Sequence, residues 1–149
     1  MLVVVAMLAI LTTVSLPIFA ATFKNARLGG AVRQLASDIR SARSLAVSKG
    51  GFYGVHTDGN RYQIQSSSDV TTWTSPTVIT NWQDLSTQFI GVTIQSVGNG
   101  DPIGGPIFNA IGASVDSANI VRSVNITVAD DSGATKVIQV NPAGNVKMP

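Results

Sequence analysis

The sequence predicts an α+β fold, in which a long N-terminal α-helix precedes an antiparallel, β-rich globular head. Two observations predict it. Hydrophobic residues recur at helical spacing up to the pair Gly50-Gly51, and beyond that pair the hydrophobic period changes to two, with turn sequences between short runs. The 149 residues suffice for one compact domain with a single core.

The first element is an apolar helix over residues 1–23, a segment without any charged side chain. A bilayer core needs about 20 mostly apolar residues in helical form, so this segment is long enough to span a membrane. A cleaved secretory signal is one alternative, but the segment lacks the basic start of such signals. A buried core helix is the other, and it would need cover on every side. We favour a retained membrane helix.

Eleven residues of this helix are predicted to form its membrane-facing surface or the core of an assembly. They are Met1, Leu2, Val3, Val4, Val5, Met7, Leu8, Ile10, Leu11, Val14 and Leu16. Pro17 interrupts the run, and a proline inside a helix removes one hydrogen bond and clashes with the preceding turn. We therefore predict a kink or a melted turn near Pro17.

The second element is an amphipathic helix over residues 24–50. Its hydrophobic positions follow one another at spacings of four or three residues, which places them on one stripe. These positions are Leu28, Val32, Leu35, Ile39, Ala42 and Ala46. If both segments form one helix, the rod is about 70 Å long. Its N-terminal half then needs lipid or other subunits to cover it.

The amphipathic helix is also strongly basic. Six of the ten basic residues of the chain lie in it, against the single acid Asp38, so its net charge is +5. The chain from Gly50 onward carries −3. Opposite charges on stem and head favour staggered stacking of copies. The residues predicted to contact other subunits or phosphate groups are Lys24, Arg27, Arg33, Arg40, Arg43 and Lys49.

Residues 51–149 are predicted to form the β-rich head. The runs 52–56 and 61–65 flank Asp58-Gly59-Asn60 and predict a hairpin. Further strands are predicted at 77–80, 89–94, 120–128, 135–140 and 145–148. Residues 130–133 and 141–144 have turn composition, and 97–118 is predicted to be irregular with one short strand near Ile107-Phe108.

Catalytic and metal chemistry have little support. The chain contains no cysteine, and its one histidine, His56, lies near Asp58 without a nucleophile-elbow sequence. The oxygen-rich segments 58–60, 99–101 and 130–133 lack EF-hand spacing, and turns require the same residues. We therefore expect no enzyme activity and no cofactor. Asn125-Ile126-Thr127 is an N-glycosylation sequon, and the Ser/Thr-rich loop 66–75 is a candidate for O-linked sugar.

The run from Met1 to Pro17, MLVVVAMLAILTTVSLP, resembles the hydrophobic half of the N-terminal signature of type IV pilins and type II secretion pseudopilins. In that family a methylated aromatic residue and a short stretch ending in glutamate open the mature chain, and Met1 would directly follow the glutamate. Either the chain is truncated, or it starts at an internal methionine, or it departs from the family. Ala9 replaces the usual glycine, whereas Pro17 matches.

Two later segments are similar to the GspH/FimT group of minor pilins. Residues 35–47, LASDIRSARSLAV, resemble the end of its helix, and residues 138–146, IQVNPAGNV, resemble its terminal hairpin. The resemblance implies a pilin-like fold. It also implies a structural subunit that polymerises through its hydrophobic helix into an extracellular pilus or a periplasmic pseudopilus, after a stage in the bacterial inner membrane.

The partners that this resemblance implies are copies of the chain or other pilins, and the pilus or secretion assembly machinery. The alternative is a minor pilin, or a membrane-anchored binding module that captures DNA or another ligand through its head. We rank DNA binding lower, because the terminal hairpin carries only Lys136 and Lys147 and no arginine cluster. Adhesion, motility, secretion and DNA uptake all remain open as the filament's task.

Overall fold

The computed structural model describes residues 2–71, 73, 75–98 and 103–148, with side chains described from Thr22 onward. A single long helix, α1 (Leu2–Lys49), precedes the head. The last turn of α1 closes where the amide of Gly50 donates to the carbonyl oxygen of Ala46 at 3.1 Å. The predicted order of a long helix followed by an antiparallel β-rich head is confirmed.

Two antiparallel sheets form the head. The strands of the first sheet are β1 (Phe52–Asp58), β2 (Arg61–Ser67), β3 (Thr77–Val78), β4 (Gln83–Asp84), β6 (Ile107–Phe108) and β7 (Ser114–Val115). The strands of the second sheet are β5 (Val92–Val97), β8 (Val124–Asp130), β9 (Thr135–Val140) and β10 (Val146–Lys147). A short helix, α2 (Leu85–Gln88), connects β4 to β5.

The strand order is β3-β2-β1-β6-β7 in the first sheet, where β4 also pairs with β2. It is β10-β9-β8-β5 in the second sheet. The predicted hairpin is confirmed as β1 and β2, which pair in a register that sets Val55 opposite Ile64. Since neighbouring strands are mostly consecutive in the chain, short turns make most of the connections.

The C-terminal half of α1 packs across both sheets and forms the main core. All six residues of the predicted stripe are buried, with at most 3% of each side chain exposed. They contact apolar side chains from β1, β2, β8 and β9, among them Val55, Ile64, Ile126 and Ile138. Each large side chain of this kind contributes about 1.5–3 kcal/mol when it is fully buried, so this stripe is the main attachment of α1 to the head.

A smaller apolar cluster lies on the other face of the first sheet. Its buried members are Val70, Trp73, Ile103, Ile107 and Val115. The indole of Trp73 donates from Nε1 to the side-chain oxygen of Gln65 at 3.0 Å. Val70 and Trp73 belong to the loop after β2, and Ile103 belongs to the loop after β5. This cluster therefore anchors both loops to the first sheet.

Four turns of the head share one hydrogen-bonding arrangement. In each, an Asp or Asn accepts at its side-chain oxygen from the amide four residues later, and the fourth residue of the turn has a left-handed backbone. The turns are Asn109–Gly112, Asp116–Asn119, Asp130–Gly133 and Asn141–Gly144. The sequence predicted the last two of them. The pattern Asx-x-x-Gly was the available signal for the first, whereas the second ends in asparagine.

Several predicted strands have different bounds in the structure. The strand predicted from Phe89 begins at Val92, because the preceding residues form and close α2. Asp84 caps that helix by accepting from the amides of Ser86 and Thr87. The strand predicted from Ile120 begins at Val124, because the turn after Asp116 occupies the preceding residues. The irregular region 97–118 contains the predicted β6 and also β7.

A polar contact also fastens α1 to β2. The hydroxyl of the buried Tyr62 donates to Asp38 Oδ2 at 2.6 Å, and the Gln34 amide donates to the same oxygen at 3.2 Å. Burial, followed by the interaction with the Asp38 carboxylate, raises the pKa of Tyr62 above its usual value. The phenol therefore stays protonated and remains a donor at any physiological pH.

We expect Tyr62→Phe to lower the free energy of unfolding by about 1.5 kcal/mol, since a hydrogen bond to a charged acceptor is lost in a buried setting. Urea denaturation of the purified full chain in mild detergent, followed by circular dichroism, measures this change. Tyr53→Phe is the matched control, because the half-buried Tyr53 hydroxyl makes no hydrogen bond within the described residues. Equal losses in both variants would contradict a special role for the Tyr62–Asp38 contact.

Candidate assembly interface

The N-terminal part of α1 contains the apolar residues on which the predicted assembly depends. All eleven predicted residues, from Met1 to Leu16, lie outside the residues with described side chains, as does Pro17. The backbone of α1 is helical from Leu2 and continues through Pro17, so it includes no melted turn there, and the kink stays a prediction. Among the side chains described, no helix has a segment long and apolar enough to cross a membrane.

Three of the six predicted contact residues on α1 are engaged by the chain's own head. Lys24 Nζ lies 3.0 Å from Asp131 Oδ1. Arg40 Nη2 donates to the carbonyl oxygen of Val146 at 3.3 Å, and Arg43 makes three further bonds described below. The remaining three, Arg27, Arg33 and Lys49, are exposed. Contacts of these residues with other subunits or phosphate groups stay a prediction.

Arg43 joins three segments at the end of the head where α1 stops. Its Nε donates to the carbonyl oxygen of Gly112 at 3.0 Å. Its two terminal nitrogens donate to Asn145 Oδ1 at 3.2 Å and to the Ala143 carbonyl oxygen at 3.0 Å. The guanidinium thus holds the 109–112 and 141–144 turns against the last turns of α1, which makes Arg43 a structural residue as well as a surface charge.

A groove lies beside this arginine, between the last turns of α1 and strand β10. It has a volume of about 500 Å³, and its lining is Arg40, Arg43, Ser44, Val47, Ser48, Gly144, Asn145 and Val146. Val47 is 54% exposed, and Ile111 on the adjoining turn is 81% exposed. We call this surface, defined by Arg40, Arg43, Val47 and Ile111, the upper end of the head.

The opposite end is formed where α1 enters the head. There the 130–133 turn meets Lys24, and the side chain of Phe89 packs on Gly30, where a Cβ atom would come within 2.7 Å of the ring. Ile90 beside it is 71% exposed, and the side chain of Asp131 is 57% exposed. We call this surface, defined by Lys24, Ile90 and Asp131, the lower end of the head.

The carboxylate of Asp130 organises the lower end. Its Oδ1 accepts from the amides of Ser132 and Ala134, each at 2.9 Å, and from the Ser132 hydroxyl at 2.6 Å. These hydrogen bonds, with that of the Ser132 hydroxyl foremost, lower the pKa of Asp130, and the positive charge of Lys24 acts in the same direction. Asp130 therefore serves the turn, as the composition of residues 130–133 predicted.

His56 and Asp58 do not form a catalytic pair. Asp58 Oδ2 accepts from Arg61 at 2.6 Å, while the His56 ring lies edge-on to Trp82 with ring centroids 5.3 Å apart. The buried Nδ1 of His56 has no hydrogen-bond partner within the described residues. Among those residues, the hydrogen bond that this nitrogen would donate to an orienting carboxylate, which a Ser-His-Asp triad needs, is thus not made.

The oxygen-rich segments behave as turns where they are described. Asn60 Oδ1 accepts from the amide of Ile94 at 3.3 Å, and Asp58 is bound to Arg61. Residues 99–101 lie outside the described part of the chain. Within the described part, no group of three or more His, Asp or Glu side chains is arranged to hold a metal ion. Asn125 of the sequon is exposed on β8, and its glycosylation stays a prediction.

Comparison with known proteins places this architecture. A sequence model of the family described as type II transport protein GspH matches residues 31–144. No curated protein sequence matches the chain. The crystal structure of the type IV minor pilin FimU of Pseudomonas aeruginosa is similar with a TM-score of 0.62 and 16% identity, over 84% of this chain and 90% of that one.

A second similar structure is that of the minor pseudopilin EpsH from the type 2 secretion system of Vibrio cholerae. Its TM-score is 0.61 at 11% identity, over 83% of this chain and 96% of that one. At such identities the likeness concerns the fold, namely a long helix packed on an antiparallel β-rich head. It agrees with the fold that the N-terminal run and the two later segments of the sequence predicted.

Proposed function

Because the chain belongs to the family of GspH type II transport proteins, we propose that it is a structural subunit that polymerises through its N-terminal helix into a type IV pilus-like filament. Pilin and pseudopilin families are structural, and the similarity to minor pilins and pseudopilins supports a pilin-type subunit. We expect no catalytic role for the chain.

The observation that carries this proposal is that α1 begins many residues before the part of it that packs on the head. α1 spans 48 residues, but among the described side chains its buried positions begin only at Leu28. The residues before Lys24 are uncharged and mostly apolar. An apolar helical segment of this length is stabilised by lipid or by other apolar helices around it. We infer that inner-membrane lipid covers it first and neighbouring subunits cover it in the filament.

Packing of the apolar helices is the main source of the free energy of assembly. Burial of one Leu or Val side chain contributes about 1.5–3 kcal/mol, whereas an exposed ion pair contributes at most about 1 kcal/mol. The eleven predicted apolar residues of this segment therefore outweigh the basic residues between Lys24 and Lys49. A kink at Pro17 would let the helix adapt to both surroundings.

Leu8→Arg is expected to reduce the yield of fibres at least tenfold, because a charged side chain at the centre of an apolar environment costs about 2.5–3.5 kcal/mol. Electron microscopy of fibres sheared from cells, with this subunit identified in them by immunogold, measures the yield. Leu8→Ile preserves the apolar surface and serves as the control. Finding the wild-type chain only in membranes and never in fibres would overturn the proposal.

The alternative is a minor subunit or a membrane-anchored module whose head captures DNA or another ligand. The similarity to FimU and EpsH, both described as minor subunits, favours the first of these. Immunogold labelling distinguishes a main shaft subunit from a minor subunit. Antibodies against a shaft subunit label the fibre along its length, whereas antibodies against a minor subunit label isolated points. An anchored module would tolerate apolar replacements throughout residues 1–17 and would label no fibre.

A further inference from the structure

The head has two ends that differ in chemistry and face opposite ways along α1. Lys24 at the lower end and Arg43 at the upper end are 19 positions apart, so they are separated by about 28 Å along the helix axis. Strand β9 begins after the 130–133 turn at the lower end and leads to the 141–144 turn at the upper end. One face of the molecule therefore cannot contain both surfaces.

The upper end combines exposed apolar side chains with positive charge. Val47 lies against the 109–112 turn that carries Ile111, since a Cβ atom on Gly112 would come within 2.9 Å of Val47 Cγ2. Arg40 lines the groove and has one guanidinium nitrogen bound to the Val146 carbonyl oxygen, while Lys49 is exposed at the end of α1. Exposed apolar side chains that are grouped beside a groove are typical of protein contacts.

The lower end combines an exposed apolar side chain with exposed negative charge. Ile90 and Asp131 lie at the same end of the second sheet, because Gly91 and Asp131 are neighbours across the β5–β8 pair. The carboxylate of Asp131 stays 57% exposed although Lys24 Nζ lies 3.0 Å from it, whereas Asp130 is buried in its own turn. The lower end thus offers one exposed apolar side chain, Ile90, and one exposed carboxylate, Asp131, which match the apolar side chains and the arginine of the upper end.

We infer that the two ends bind each other between copies of this chain, with Ile90 and Asp131 of one head seated at the groove lined by Arg40 and Val47 of the next, beside its Ile111. This inference rests on the proposed function and specifies which parts of the heads touch. A contact between two different surfaces of one molecule repeats without closing, provided that the rotation between copies does not return to the start. It therefore extends as a filament along the direction of α1.

The two kinds of contact have different roles in this interface. Burial of Ile90 against Val47 and Ile111 supplies stabilisation, while the pairing of Asp131 with Arg40 disfavours wrong registers, since like charges placed together at an interface are strongly unfavourable. Asp131 would then exchange or share its Lys24 partner on assembly. The helices still supply most of the assembly energy, and the heads determine how neighbours are aligned.

The absence of cysteine from the chain allows a direct test by disulfide cross-linking. The full-length double variant Ser48→Cys/Ile90→Cys, expressed in cells and oxidised on sheared fibres, should give a ladder of covalent oligomers of this chain. Each single variant should give no ladder, because the two ends are different surfaces. The control pair Ser48→Cys/Thr77→Cys places the second thiol on the exposed edge strand β3 and should also give none.

The outcomes separate the interface from the proposed function. Wild-type fibres together with no ladder from the double variant would overturn this interface and leave the filament role intact. A cross-link from the thiol introduced at position 48 to a different protein would overturn the assignment of a second copy as the occupant. Absence of this chain from any fibre would overturn the filament role and the interface with it.

A charge exchange provides the second measurement, which does not depend on thiol geometry. Arg40→Asp and Asp131→Arg should each reduce the fibre yield about tenfold. The double variant, which exchanges the two charges, should recover most of the wild-type yield. Thermal unfolding of each purified chain shows whether it is folded. If the double variant is folded but its fibre yield stays as low as that of the single variants, the pairing of Arg40 with Asp131 is contradicted.

Discussion

Replacing Gly144 with alanine will lower the free energy of unfolding by about 3 kcal/mol. A Cβ atom at this position would overlap the carbonyl oxygen of Gly112 and come within 2.8 Å of Arg43 Nε. Overpacking of this kind costs about 1–3 kcal/mol. The backbone of Gly144 is also left-handed, with φ of 78°, which costs a residue with a side chain about 1–2 kcal/mol more.

Gly133 provides the matched control for this change. It occupies the same position in a turn of the same type, with φ of 85°, but a Cβ atom there would meet nothing within 4 Å. Gly133→Ala should therefore cost only the backbone contribution, about 1–2 kcal/mol. The difference between the two variants in urea denaturation reports the close packing of the two turns around Arg43. Equal losses would show that this packing contributes nothing.

Replacing Ile39 with alanine will lower the free energy of unfolding by about 3–4 kcal/mol. Ile39 is fully buried at the middle of the stripe by which α1 packs on both sheets. Removal of its branched side chain costs the transfer free energy and leaves a cavity, and such changes cost about 2–5 kcal/mol. The central position favours the upper part of this range, because a rigid helix packed across two sheets has little freedom to collapse into the space.

Ser37→Ala is the control for the Ile39 variant. Ser37 lies two residues away on the exposed side of the same helix, and alanine is a good helix former, so its change should stay within about 0.5 kcal/mol. Urea denaturation monitored by circular dichroism compares the two. A loss below about 1 kcal/mol for Ile39→Ala would mean that α1 is not the main attachment for the head.

The turns show how far local sequence reaches. Residues 130–133 and 141–144 were predicted as turns from composition, and the structure confirms both. The turn 109–112 has the same Asx-x-x-Gly order but lies between two-residue strands, which have too few residues for an alternation of hydrophobic and polar positions to be visible. α2 escaped prediction for a similar reason, since the four residues Leu85–Gln88 are too few to show a helical period of hydrophobic positions.

The basic residues of α1 show which contacts cannot be predicted from local sequence. All six were predicted as outward contacts from charge alone, yet the head uses Lys24, Arg40 and Arg43. Their partners are mostly backbone carbonyl oxygens, which every residue carries and which leave no trace in a sequence. The apolar stripe of α1 was predictable because burial selects residue types, whereas acceptance by a carbonyl oxygen does not.

The sequence by itself determined the long helix, the side of it that is buried, the first hairpin and the last two turns. Helical and strand periodicity and turn composition are properties of neighbouring residues, so they can be read without the fold. Only the tertiary structure decided that Gly112 and Ala143, 69 and 100 positions from Arg43, meet at that arginine. Only the fold, likewise, placed Val47 against the turn that carries Ile111 and brought Asp131 next to Gly91 and Ile90, because these residues come from different elements that packing of the core brings together.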